Sequence, residues 1–151
     1  MRRLLICGRV MVAEGVLLLA VAAIHLLVIP VLKRVLARLL TRDDMAFVWA
    51  PFLLNHAVVG VLLIPLGVST IYAGLHLKTR AVWAHRIGLL NAATVMCLPA
   101  VLFAVMDRSY FNALPFVIAS VLVCVVAVSM LWPLLWVASE FRPRAGAGSG
   151  E

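Results

Sequence analysis

Charge is scarce in this sequence. Charged residues make up 13% of 151, where a soluble domain carries roughly a quarter. Only six residues are acidic and four are histidine, while hydrophobic residues reach 66% and mean hydropathy is +1.15. A soluble fold of this size has too much surface for its volume to hide that much apolar area. An ordinary cytosolic enzyme, a nucleic-acid-binding domain and a disordered chain are therefore excluded. Catalytic signatures are missing too: there is no Walker loop, no Gly-rich dinucleotide turn, no HExxH and no GxSxG. Cys7, Cys97 and Cys124 show no CxxC spacing and are read as buried, unreactive thiols. Met96, Met106 and Met130 form no Met-x-x-Met cluster for copper and are read as core packing. Period-2 alternation is absent, which argues against a β-barrel.

What is present is four long apolar runs: about Val10–Leu32, Phe47–Leu77, Ile87–Met106 and Leu114–Val137. Each has the roughly 20 residues a helix needs to cross about 30 Å of hydrocarbon. The links Lys78–Arg86 and Asp107–Asn112 are short, and short links make neighbouring helices antiparallel. The expected fold is all-α: an up-down-up-down four-transmembrane-helix bundle in a single domain over residues 1–141, followed by a Gly-rich flexible tail at 142–151.

The net charge of +7 comes from 13 basic residues, 11 of them Arg. They sit between the apolar runs, so they read as topology signals and contacts to anionic lipid. Arg2, Arg3, Arg9, Lys78, Arg80, Arg86, Arg142 and Arg144 place eight on one side, against Lys33, Arg34, Arg38, Arg42 and Arg108 on the other. That bias puts both termini in the cytoplasm, in a multi-pass protein of the cell inner (plasma) membrane. Trp83, Trp132, Trp136 and Tyr72 would form the inner aromatic belt, and Phe47, Trp49 and Tyr110 the outer one. Ala20-Val21-Ala22 resembles a signal cleavage site, but the apolar run continues to Leu32, so the first run is read as a span.

Val31–Arg42 is amphipathic and basic, either a cap on the first span or a helix in the interface plane. Thr41 and Asp44 have capping-box spacing for a fresh helix start. Pro115 reads as a first-turn proline, and Pro65 and Pro99 lie deep enough in their spans to kink them.

Ionisable groups at membrane depth are costly and are therefore functional candidates. These are Glu14, His25 and His56, with Asn55, Thr70 and Asn91 as uncharged company on a proton or polar pathway. At 1.5 Å per residue, His25 and His56 both lie roughly 6–13 Å below the outer surface on adjacent antiparallel helices. His56, Gly60, Leu63, Gly67, Thr70 and Gly74 share one stripe, and small residues on a stripe mark the face that packs closely on another helix. Glu14 and His25 are about 20° apart on a helix at 100° per residue, on a face with Leu18, Val21 and Ala22. Glu14 either snorkels to the interface or carries protons on that face.

Two inward imidazoles at one depth have three uses. They can hold a haem b iron from opposite sides, with Lys33, Arg34 and Arg38 near enough for the propionates. They can bind Cu or Zn, for which two ligands are few. They can simply lock the bundle. His76 and His85 are read as ordinary interfacial histidines, and His56 and His76 fall on nearly opposite helix faces. The first expectation is a non-enzymatic accessory membrane subunit or small transporter, with the bilayer, other membrane subunits or a second copy as partners and no nucleic acid. The alternative is an electron-transfer protein with haem b between His25 and His56. Its likeness to small four-helix b-type cytochromes is one of architecture alone.

Overall fold

Apolar side chains occupy nearly every position of the four runs, and a backbone without water must close its hydrogen bonds inside its own segment, as helix. The computed structural model describes residues 1–39, 48–106, 111–112 and 114–141, among which there is no strand. Its four α-helices are α1 (Arg2–Leu39), α2 (Ala50–His76), α3 (Val82–Val105) and α4 (Leu114–Trp136). Short 3₁₀ turns follow α2 at Leu77–Thr79 and α4 at Ala138–Phe141. All four α-helices are long and apolar enough to cross a membrane.

The helix ends differ from those read in the sequence. α1 begins at Arg2 and passes through Pro30 to Leu39, a length of 38 residues. At 1.5 Å each that is about 57 Å, nearly twice the hydrocarbon thickness. The basic stretch after Pro30 thus continues the first span. Its Leu, Arg, Lys and Ala residues are good helix formers, and Arg34 Nε donates to the Pro30 carbonyl at 3.4 Å. α3 begins at Val82, so Trp83, His85 and Arg86 are helical and the link before them shrinks to Leu77–Ala81. Thr41 and Asp44, Arg42, Phe47, Arg108, Tyr110 and the tail from 142 lie outside the described residues.

That link is closed by hydrogen bonds. Thr79 Oγ1 donates to the His76 carbonyl at 2.7 Å. Arg80 takes the left-handed conformation (φ 55°), and its N–H bonds to the Leu77 carbonyl at 3.0 Å. Helices commonly end this way, with glycine in the left-handed position.

The chain forms two compact units, Met1–Glu14 with Thr70–Glu151, and Gly15–Ser69. In the first, Gly8 and Gly74 touch backbone to backbone: a Cβ on Gly8 would stand 2.6 Å from the Gly74 carbonyl oxygen, and one on Gly74 would stand 2.8 Å from that of Gly8. α3 packs on α4 in the same unit, with Leu4, Cys7, Met11, Met130 and Leu134 fully buried. In the second unit, a Cβ on Gly67 would lie 2.9 Å from the Gly15 carbonyl, and one on Gly60 would lie 2.8 Å from Leu26. As residue numbers rise along α1 they fall along α2 there, so the two segments run antiparallel.

Most of the stripe read on the second span is buried: Gly60, Leu63, Gly67, Thr70 and Gly74 are buried, while His56 at its start is half-buried. Its counterpart on α1, Gly8, Gly15 and Ala22, repeats every seven residues as Gly60, Gly67 and Gly74 do. Small residues at that interval let two helices approach through several turns.

Pro51 and Pro115 are second residues of their helices, where a missing N–H costs nothing. Pro65 and Pro99 lie inside α2 and α3.

Candidate functional site

The Gly15–Ser69 unit brings His25 and His56 together. Their ring centroids are 5.5 Å apart and their planes are tilted by 37°. Both rings are half-buried. Each is fixed by its own helix: His25 Nδ1 bonds to the Val21 carbonyl at 3.0 Å, and His56 Nδ1 to the Phe52 carbonyl at 3.3 Å. A carbonyl oxygen only accepts, so the proton sits on Nδ1 in both rings. In the neutral rings Nε2 keeps its lone pair, the tautomer of an imidazole prepared to bind a metal or accept a proton. The Phe52 ring lies 4.8 Å from that of His56.

A pair of imidazoles on one iron, at about 2 Å per bond, holds ring centres about 6 Å apart. The observed separation of 5.5 Å is shorter than that. The macrocycle asks for more. Gly60 is one turn from His56, and a Cβ there would meet Leu26 at 2.8 Å. A haem between these rings requires that seam to open. Among the described residues no three His, Cys, Asp or Glu side chains group to hold an ion, so an ion at this pair would complete its shell with water or a partner's ligand.

Asn55 is exposed on this unit and stands outside the pair. Thr70 and Asn91 do meet: in the Met1–Glu14 and Thr70–Glu151 unit, Asn91 Nδ2 donates to Thr70 Oγ1 at 3.0 Å, with both residues buried.

Glu14 is half-buried. It does not simply reach for water: Ser129 Oγ of α4 hydrogen-bonds to its Oε1, while its Oε2 is buried without a partner among the described residues. Ser129 Oγ also lies 3.0 Å from the Val126 carbonyl. The pairing was not legible because the residues are 115 positions apart and Ser129 sits in a featureless apolar run.

His76 and His85 diverge. His76 lies tilted against Tyr72 and Trp83, with ring centroids at 4.4 and 5.1 Å, and Nδ1 bonds to the Tyr72 carbonyl at 2.8 Å. Both were read in the sequence as interfacial histidines. His85 departs from that role. It is buried, donates Nε2–H to the Leu134 carbonyl at 3.1 Å and stacks on Phe141 at 4.4 Å. Arg80 and Glu140 form an exposed ion pair at 3.2 Å. Tyr72 is stacked on Trp83 at 5.3 Å, and Arg3 lies over the Trp136 ring at 5.2 Å.

Two groups read as core are so only in part. Cys97 is exposed and Cys124 half-buried, whereas Cys7 is buried. Met130 is fully buried but Met106 is exposed. Hydropathy alone does not separate a core-facing residue from one on the outer flank of a helix apolar all round.

No protein-family model, no curated protein and no solved structure matches the chain.

Proposed function

We propose that the chain is a small non-enzymatic protein of the inner (plasma) membrane, an accessory subunit or small transporter. In this reading residues 1–141 form one transmembrane domain running up-down-up-down, with both termini in the cytoplasm. The supporting observation is how its buried and half-buried polar groups are used. Thr70 with Asn91, Glu14 with Ser129 and His85 with the Leu134 carbonyl each tie one helix to another. Polar groups used this way hold a bundle together. Cross-linking in the native membrane, followed by extraction in mild detergent, is expected to recover the chain in an assembly larger than its own 16.4 kDa. Recovery as a lone monomer that no solute stabilises against heat would end this reading.

The contact between His25 and His56 favours a second reading, in which the pair ligates haem b or a metal ion and the protein carries electrons between a membrane quinol and a partner at the outer face. The closed seam at Leu26 and Gly60 favours the ion over the macrocycle. A visible spectrum with metal analysis on the purified protein separates the two. Haem gives low-spin bands that vanish in His56→Ala; an ion gives about one equivalent of metal that is lost in the same variant. A colourless, metal-free protein from replete cells removes both.

A further inference from the structure

We propose that a groove between the start of α1 and the end of α2 is a binding site for one anionic phospholipid, with its phosphate held by Arg9 and Lys78. The groove, about 360 Å³, is walled by Leu5, Val12, Ala13 and Leu75, and its only cationic members are Arg9 and Lys78. Gly8 and Gly74 form its floor, because their backbones touch and no side chain rises between the helices.

Three observations choose the occupant. First, the walls are apolar and belong to two helices long and apolar enough to cross a membrane, so an acyl chain is the natural filling. Second, Arg9 and Lys78 are exposed and, among the described residues, neither has an acidic partner; the ion pair nearby is Arg80 with Glu140. Third, the two cations converge. Lys78 lies in the turn that ends α2, one helical turn beyond Gly74. Arg9 lies next to Gly8, and side chains on a helix lean toward its N-terminus. That lean carries the Arg9 guanidinium along α1 toward the end where Leu4, Leu5 and Lys78 close the groove. Two cations at the mouth of an apolar cleft match one phosphate above one tail, the arrangement in which basic pockets between membrane helices take anionic headgroups. A zwitterionic lipid brings its own cation to the same place and loses that advantage. This inference stands whether or not His25 and His56 hold a ligand.

The test is native mass spectrometry of the full chain in neutral detergent, with phosphatidylglycerol and phosphatidylcholine of identical acyl chains as probes. The expected result is one retained phosphatidylglycerol in preference to phosphatidylcholine. Arg9→Gln with Lys78→Gln should weaken it by about thirtyfold, as loss of two near-surface cations implies. Lys33→Gln with Arg34→Gln, outside the groove, should leave it unchanged. Ala13→Trp fills the groove under intact cations and should also expel the lipid; circular dichroism confirms that each variant keeps its helices. The proposal is overturned by equal retention of the two lipids, by retention in the Arg9/Lys78 variant, or by equal loss in the Lys33/Arg34 variant, which would mean diffuse attraction to net charge. It is also overturned if inorganic phosphate at the lipid's concentration displaces the lipid, since the headgroup alone would then account for binding.

Discussion

Ser129 and Glu14 show how much one hydroxyl can decide inside an apolar helix pair. Replacing Ser129 with Ala takes away the partner of Glu14 Oε1 while Oε2 already has none. Both carboxyl oxygens are then unsatisfied, and an unsatisfied buried polar group costs about 1–3 kcal/mol. Ser129→Ala is therefore expected to lower stability by that amount, read as a drop in Tm in detergent. Pairing it with Glu14→Leu should restore most of the loss, because replacing both partners with apolar groups can be nearly neutral. If the double variant falls by the sum of the single losses, the hydrogen bond is not what makes Ser129 matter. At this scale the sequence was legible where a residue was rare. His25 and His56 stood out as ionisable groups in apolar runs, and matched depth paired them. His85 was misread because its role depends on Leu134 and Phe141, which only the packing of α3 on α4 brings near.

At the scale of elements, the seven-residue glycine spacing governs how closely α1 and α2 approach, and the nature of the opposing atom sets the cost of disturbing it. A Cβ at Gly67 meets the Gly15 carbonyl at 2.9 Å, so backbone must move. At Gly60 the nearest atoms are Cδ2 and Cγ of the Leu26 side chain at 2.8 Å, with the Ala22 carbonyl farther off at 3.3 Å, so a side chain gives before backbone must. Alanine gains about 1 kcal/mol of helix propensity over glycine, and overpacking costs about 1–3 kcal/mol. Gly60→Ala is thus expected to be close to neutral and Gly67→Ala to be destabilising by up to about 2 kcal/mol, compared by thermal unfolding of the two variants. Equal losses would show that Leu26 is as unyielding as backbone.

The turn after α2 invites a second comparison at this scale. Arg80 is the one non-glycine residue with positive φ among those described, and the left-handed conformation costs a side-chain-bearing residue about 1–2 kcal/mol. Its ion pair with Glu140 is exposed and worth about 0–1 kcal/mol. Arg80→Gly removes both, so relief of strain outweighs the lost pair and Tm is expected to hold or rise slightly; a fall of several degrees would give the ion pair a larger role than its exposure allows. Of the elements, the sequence revealed the existence of all four helices and the buried face of the second. It did not reveal where α1 stops, since a basic amphipathic end can either continue a span or lie beside it, and Pro30 failed to break the helix.

Across the whole molecule, four spans were legible because hydropathy sums over 20 residues and no single contact decides it. Orientation rests on a thinner margin. Eight basic residues on the proposed cytoplasmic side oppose five on the other, and three of those five, Lys33, Arg34 and Arg38, belong to the extension of α1. Neutralising Arg2, Arg3 and Arg9 leaves five on each side, so the charge bias that orients the chain disappears. Single-cysteine reporters read this directly. With a membrane-impermeant maleimide on intact cells lacking native cysteines, Lys33→Cys is expected to label, and Lys78→Cys to label only after permeabilisation. In the triply neutralised background both positions should label partially on intact cells, as mixed insertion requires. Full labelling of Lys78→Cys without neutralisation would invert the proposed topology and put both termini outside the cytoplasm.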